Sequence, residues 1–201
     1  MKKNIITVSR QFGSGGRTVA RQIAEKLGIP YYDKEIIEMV VQQTGFHPDY
    51  VAQRAEYAPS ASPFAYAFIG RTPSGECNDD LLWRAQCHII EELAQKGPCV
   101  ILGRCADYIL RDREDVFNVF VYADKDFRAN RVVEKYGETP KKIEKRIDEK
   151  DRKRRVSYHH YTGRKWGELD NYDLAVNSSS VGVDNASDLI IAAMRAAETE
   201  W

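Results

Sequence analysis

The chain has 201 residues, with 43% hydrophobic and 30% charged positions, and thirty Lys and Arg balance thirty Asp and Glu. That length suits one domain with a substantial core, and the composition excludes a disordered or fibrous protein. The zero formal charge argues against a protein that coats DNA or RNA, and no apolar run approaches the ~20 residues of a membrane span.

The first residues, Met1-Lys2-Lys3-Asn4 and then Ile5-Ile6-Thr7-Val8, lack an apolar leader with a small-residue cleavage site, so a cytoplasmic chain is expected. Ile5–Val8 is a β-branched run that reads as a buried strand. It gives way to Ser9-Arg10-Gln11-Phe12 and the cluster Gly13-Ser14-Gly15-Gly16, which no regular element tolerates well. Val19, Ile23 and Leu27 then recur every fourth residue, the stripe of a helix packed on a sheet, and Gly28-Ile29-Pro30 stops it. A second short strand is expected over Ile29–Tyr32, followed by a helix from Asp33 to about Val41. Thr44 to Asp80, with four prolines, reads as short helices joined by loops.

Leu81–Gln95 is a clearer helix, broken by Gly97-Pro98 before Cys99-Val100-Ile101-Leu102, an apolar run of the kind buried on both faces of a parallel sheet. A short helix over Ala106–Leu110, a strand over Val116–Tyr122, and a helix over Asp126–Tyr136 capped by Asp124 follow. Thr139-Pro140 opens a basic helix through Arg155, Tyr172–Val176 is a fifth strand candidate, and Asn185–Ala197 is the last helix. Strands alternating with helices imply a parallel sheet sandwiched between helices, an α/β fold. The four cysteines, Cys77, Cys87, Cys99 and Cys105, show no CxxC spacing and are expected to be reduced, Cys99 as core filling.

Charge is unevenly spread. Residues 141–165 carry eleven basic and four acidic side chains, whereas residues 166–201 carry one basic and seven acidic. Such a run is ordinarily a solvated helix face. Here it must be weighed with the glycine cluster. A phosphate-binding loop is written G-x-x-x-x-G-K-[ST]: backbone N–H groups and a helix start surround the phosphates, the lysine reaches their outer oxygens, and the hydroxyl holds Mg²⁺. Gln11-Phe12-Gly13-Ser14-Gly15-Gly16-Arg17-Thr18 matches in register, with Gln11 for the first glycine and Arg17 for the lysine. Gly103-Arg104 places a further cation where the crevice of an open parallel sheet should lie. Cations from three remote regions suit the stabilisation of a phosphoryl group in transfer.

Taken together, Ser9–Arg17, Gly103-Arg104, Asp151-x-x-Arg154, Tyr161-Thr162-Gly163, Trp166-Gly167, Asn171-Tyr172-Asp173-Leu174 and Asn177-Ser178 resemble the cytidylate kinase-like family, a branch of the nucleoside monophosphate kinases among the P-loop NTPases. The resemblance spans Ile5 to about Met194 and implies a three-layer α/β sandwich on a five-stranded parallel sheet. It also implies a single kinase domain with a helical monophosphate-binding region at about 32–96 and an arginine-rich lid at about 137–165.

By this resemblance, Gly13, Ser14, Gly15, Gly16, Arg17 and Thr18 would wrap the phosphates of ATP, with Thr18 on Mg²⁺. Arg104 would meet the acceptor phosphate. Arg128, Arg131, Asp151 and Arg154, with Arg17, would be the catalytic set, and Asn177, Ser178 and Ser179 would pass the donor base. Bacterial cytidylate kinases carry a Tyr-x-Asp-Thr-Gly sequence after the second strand. It reads Tyr31-Tyr32-Asp33-Lys34-Glu35 here and leaves Asp33 as the acceptor-side candidate. The implied function is ATP–Mg²⁺-dependent phosphorylation of a small phosphate-bearing acceptor, a nucleoside monophosphate, with no membrane or nucleic-acid polymer as partner. Two alternatives stay open: a small-metabolite kinase on the same scaffold, and a nucleotide-binding regulatory protein with weak or no catalysis, which Gln11 and Arg17 favour.

Overall fold

The computed structural model describes residues 2–55, 77–137 and 143–197. Its centre is β1 (Ile5–Arg10), six residues that are all buried. Around it lies a five-stranded sheet in the order β2-β3-β1-β4-β5, with β2 (Tyr31–Tyr32), β3 (Cys99–Leu102), β4 (Val116–Tyr122) and β5 (Leu174–Asn177). Every pairing is parallel, as the alternation of elements implied. On one side β1 pairs with β3 only as far as Val8 with Leu102; on the other it follows β4 to Arg10 with Val121. The last two residues of β1 therefore project beyond the end of β3. A crevice opens there, at the carboxyl edge where open α/β sheets bind their ligands.

The period-2 alternation of the strands divides the core. Ile6, Val8, Val100, Leu102, Val119 and Val121 pack against α1 (Gly16–Leu27) and α9 (Val183–Ala196). Ile5, Cys99 and Ile101 face α2 (Glu35–Thr44), α3 (Pro48–Ala55), α4 (Asn78–Lys96) and the short α5 (Ala106–Ile109). Two helices then reach over the sheet edge, α6 (Lys125–Tyr136) and α7 (Ile143–Thr162), joined by a small cluster of Val132, Ile143 and Ile147 against Phe12. A 3₁₀ turn at Leu169–Asn171 and the one-turn α8 (Ser178–Val181) complete the described elements. None of the described helices is long and apolar enough to cross a membrane.

Several boundaries differ from those read in the sequence. α2 runs on to Thr44 because Gly45, at φ +71°, is what ends it by returning its N–H to the Val41 carbonyl. The basic helix does not stop at Arg155 but continues to Thr162 and turns off at Gly163, φ +70°. Its expected start at Thr139-Pro140 lies outside the described residues, as does most of the proline-rich stretch after α3. Asp124 stands at the start of α6, yet its side chain makes no capping bond there. Its carboxylate instead receives Asn177 Nδ2 from the neighbouring strand end, at 3.4 Å.

Candidate active site

The turn from β1 into α1 is packed from below and open above. Gly13 and Gly15 both have φ +83°, which an L side chain rarely adopts. Gly16 is excluded from carrying a side chain for a different reason: a Cβ there would lie 2.5 Å from Arg10 Cβ. Ser14 is fully buried, and its hydroxyl donates toward the carbonyls of Gln11 (2.9 Å) and Val121 (3.1 Å). Its own carbonyl accepts from Ser178 Oγ at 2.6 Å. Gln11, standing where a phosphate loop has its first glycine, accepts the Ala123 N–H on its side-chain oxygen at 3.2 Å. These bonds fix the loop to the ends of β4 and β5. No side chain caps the start of α1, so its positive end faces outward as an anion site.

Arg17 and Thr18 are exposed at that helix start. Arg17 Nε lies 2.8 Å from Asp33 Oδ2, and the Asp33 side chain is only 8% exposed. Tyr31 donates to the same oxygen at 3.4 Å, and burial together with the Asp33 charge holds its hydroxyl protonated well above the ordinary range. Thr18 Oγ1 accepts from Arg131 Nη2 at 3.1 Å.

The inward line of α7 is Ile143, Ile147, Asp151, Arg154 and Tyr158, spaced by four, four, three and four. Its apolar start packs on α6. Its polar continuation reaches the loop. Asp151 Oδ1 accepts the Phe12 backbone N–H at 2.7 Å, while Oδ2 pairs with Arg128 Nη1 at 2.5 Å. Both side chains of the pair are less than a tenth exposed. Arg128 also donates to the Phe12 carbonyl at 3.3 Å, and Arg154 Nη1 to the Arg10 carbonyl at 2.9 Å. The basic helix is thus fastened to the residues immediately before the glycine cluster.

After β3 the chain turns through Gly103, Arg104 and Cys105, with φ of +69°, +60° and +54°. Two consecutive non-glycine residues in the left-handed region mark stored strain at the crevice. The Arg10 guanidinium packs directly over Gly103, where a Cβ would have to displace it. Gln86 of α4 donates to the Arg104 carbonyl at 3.1 Å, and Tyr158 donates to buried Asp107 of α5 at 2.6 Å. Burial raises the Asp107 pKa. It also raises that of the Cys105 thiol, and brings that of Cys87 to about 11, so these cysteines are thiols at neutral pH, not nucleophilic thiolates.

Two open pockets result. One, of about 750 Å³, is formed by Gln11–Gly13, Gly15–Thr18 and four cationic side chains besides Arg17, namely Arg10, Arg131, Lys150 and Arg154. The other, of about 680 Å³, lies between α4, the Gly103–Cys105 turn and α7. Its lining includes the aromatic side chains of Trp83 and Tyr161, stacked at 4.3 Å and 10°, and of Tyr158 and Trp166. Arg10, Arg104 and Arg154 line it too. Among the described residues neither pocket is lined by Asp or Glu. Arg10 and Arg154 line both.

Of the residues singled out in the sequence, Gly13, Gly15, Gly16, Arg17, Thr18, Arg131 and Arg154 meet in the loop pocket, and Arg104 lies in the second. Arg128 and Asp151 are joined to each other behind Phe12. Asp33, expected on the acceptor side, holds Arg17 and does not line the second pocket. Ser14 and Ser178 turn their hydroxyls into the fold. Asn177 accepts the Ser179 N–H at 3.1 Å and its hydroxyl at 2.6 Å, shaping the turn after β5. The sequence assigns no role to Arg10, Lys150, Trp83 or Tyr161: Arg10 and Tyr161 stand in it only inside motifs, and Lys150 in a run of cations. Trp166 and Tyr172 pack on Phe120, and Trp166 also lines the second pocket.

A divalent ion would find Thr18 Oγ1 at the helix start, and no group of three His, Cys, Asp or Glu that could hold a metal occurs among the described residues. That donor set fits Mg²⁺ arriving with its phosphates, since Mg²⁺ keeps several waters and takes few protein ligands.

Comparison with known proteins agrees with this geometry. The cytidylate kinase from Pyrobaculum aerophilum is 26% identical over 182 residues, covering 90% of this chain and 88% of that protein. The cytidylate kinase from Archaeoglobus fulgidus is 26% identical over 196 residues, covering 94% and 93%. Among solved structures, an uncharacterized protein from Eubacterium ventriosum is 32% identical with a TM-score of 0.74, covering 97% of this chain and 99% of that one. A shikimate kinase from Acinetobacter baumannii, 13% identical with a TM-score of 0.56 over 100% and 97% of the two chains, shares the fold. The sequence profile of the cytidylate kinase-like family matches residues 5–180. With an all-parallel sheet, a glycine loop opening a helix, and that match over most of its length, the chain belongs to the cytidylate kinase-like family, kinases of the P-loop fold.

Proposed function

We propose that the protein transfers the γ-phosphoryl group of ATP, bound with Mg²⁺, to the phosphate of a nucleoside monophosphate. The observation that carries this reading is the pair of pockets meeting at Arg10 and Arg154. A donor in the loop pocket and an acceptor in the second would present their phosphates to each other across those two guanidinium groups.

The roles follow from position. Backbone N–H groups at Gly13–Gly16 and the start of α1 hold the donor phosphates, and Arg17 and Arg131 neutralise them. Thr18 would hold Mg²⁺, which would supply charge neutralisation to the donor phosphates. Arg131 then moves its guanidinium from the Thr18 hydroxyl to phosphate oxygens. Arg104 and Arg10 hold the acceptor anion, and the aromatic walls around Trp83 and Tyr161 enclose its base. An acceptor phosphate oxygen attacks the γ-phosphorus as the bond to the β–γ bridging oxygen breaks and ADP leaves. The nucleophile is already an anion, so no general base is required. The absence of carboxylates from the described lining of the second pocket favours such an acceptor over an alcohol. The helical region at 32–96 then serves as the monophosphate-binding region and 137–165 as the lid, with Arg128 and Asp151 positioning that lid. The turn at Asn177–Ser179 remains the candidate for passing the donor base.

ADP release measured with ATP–Mg²⁺ and a panel of nucleoside monophosphates, with shikimate and gluconate as alcohol acceptors, tests the assignment. Turnover with one or more monophosphates and none with the alcohols is expected. Turnover with an alcohol alone, or with no acceptor despite ATP binding, would overturn it in favour of a metabolite kinase or a regulatory nucleotide binder respectively.

A further inference from the structure

We propose that Trp83 and Tyr161 determine acceptor specificity by intercalation: the acceptor's base inserts between the two rings, and their stack on each other gives way to a stack of ring, base and ring. The inference rests on the phosphotransfer reading above and names what the second pocket selects, a flat aromatic base joined to a phosphate. Its first support is the form of the contact. The two rings lie 4.3 Å apart and within 10° of parallel, both are half-buried, and both line the pocket. The other ring pairs of the described residues are tilted or edge-on: Phe46 with Tyr50 at 52°, Phe120 with Tyr172 at 39° and with Trp166 at 83°, and His160 with Tyr161 at 79°. Trp83 and Tyr161 alone among them present flat faces to each other, and flat faces are what a base stacks on.

The second support is how each ring is held. Trp83 of α4 packs against the apolar cluster under α2 and α3, whereas Tyr161 belongs to none of the core clusters of the described residues. Tyr161 is the last residue but one of α7, directly before the turn at Gly163. Its ring can therefore yield without opening the core. One turn earlier, Tyr158 is tied to buried Asp107 at 2.6 Å, which keeps the helix itself in place. The third support is spacing. Arg154, Ser157, Tyr158 and Tyr161 line the pocket at positions i, i+3, i+4 and i+7 of one helix face. Arg154 and Tyr161 are thus two turns apart, about 10 Å along the axis. A 5′-nucleotide likewise carries its base and its phosphate on opposite sides of a ribose. A metabolite without a planar ring would leave both faces unused.

The test compares acceptors with and without a base. Trp83→Leu, Trp83→Phe and Tyr161→Leu are made, and affinities for the four ribonucleoside 5′-monophosphates and for ribose 5-phosphate are measured by calorimetry, with ADP formation and melting temperature alongside. The wild type is expected to bind its best nucleotide far more tightly than ribose 5-phosphate. Each leucine variant is expected to lose on the order of tenfold in nucleotide affinity, the scale of one base–aromatic stack, while its affinity for ribose 5-phosphate stays within twofold of wild type. Trp83→Phe, which keeps a flat ring, retains most of the nucleotide affinity. Equal losses for both ligands would show a packing role and overturn the proposal. So would a wild type without preference for the nucleotide, or a leucine variant at either position that keeps the wild-type preference. Should a leucine variant not fold, indole emission of the wild type decides: quenching by nucleotide that ribose 5-phosphate does not reproduce and Trp83→Phe abolishes supports insertion. Emission unchanged, or changed equally in Trp83→Phe, overturns it. In each of these failures ADP formation with a monophosphate leaves the kinase reading intact. Nucleotide preference that the leucine variants remove, without ADP formation from any acceptor, removes the kinase reading and leaves the base site. A wild type that binds no monophosphate removes both.

Discussion

Gly16 shows how closely the glycine loop is packed. It lies at the helix start, where a side chain could be supposed to obstruct phosphates, but the first obstacle is the protein's own β1: a Cβ would meet Arg10 Cβ at 2.5 Å. Gly16→Ala is therefore expected to destabilise the fold by about 1–3 kcal/mol through overpacking, read from urea denaturation midpoints, as well as displacing Arg10 from the crevice. Buried Asp107 carries a second prediction. Its Oδ2 accepts from Tyr158, while Oδ1 makes no hydrogen bond among the described groups, and burial raises its pKa. A carboxyl with a raised folded-state pKa binds its proton more readily folded than unfolded. Its contribution thus favours the fold at low pH and fades as pH climbs from the ordinary carboxylate range through the raised value. Asp107→Asn should flatten that part of the stability–pH curve, measured as denaturation midpoints from pH 4 to 8. An unchanged slope would show that another group is responsible.

At the scale of elements, the decisive unit is α7 fastened to the loop. Asp151→Ala would strand the Arg128 charge in a site less than a tenth exposed and leave the Phe12 N–H without its acceptor. A loss of about 3–5 kcal/mol is expected from calorimetric unfolding, whereas Asp148→Ala, which removes the solvent-exposed pair with Lys125, is expected to leave the unfolding temperature close to that of the wild type. This pair also marks the limit of reading by spacing. The strand–loop–helix opening was legible because β-branched residues, glycines and a fourth-residue stripe act locally. Asp151 was picked out through its motif, but its partner Arg128 lies twenty-three residues away on another helix. Arg17 and Asp33 likewise meet only because β2 brings the chain back beside α1. The end of α7 was misplaced for a local reason: Val156 to Thr162 contain no helix breaker, and the first residue able to turn the chain is Gly163.

For the molecule as a whole, the five-stranded sheet separates the tasks. Helices α1 and α9 cover one face and α2 to α5 the other, so the loop pocket draws on the start of α1 and the aromatic pocket on α2 to α4, and the two share the end of β1 and α7 through Arg10 and Arg154. The five strands and their parallel sense were legible from apolar runs alternating with helices. Which strand lies at the centre was not, because strand order depends on pairings between remote segments. The common wall of Arg10 and Arg154 has a consequence for energetics. On the proposed reading, two anions resting in the two pockets would draw on the same pair of positive charges, so each ground-state occupant would weaken the hold on the other. In-line transfer would gather negative charge at the boundary itself, where both guanidinium groups act on one centre. Sharing the cations would therefore hold the resting pair of substrates loosely and the passing phosphoryl group tightly, which is the inequality that turns binding into rate.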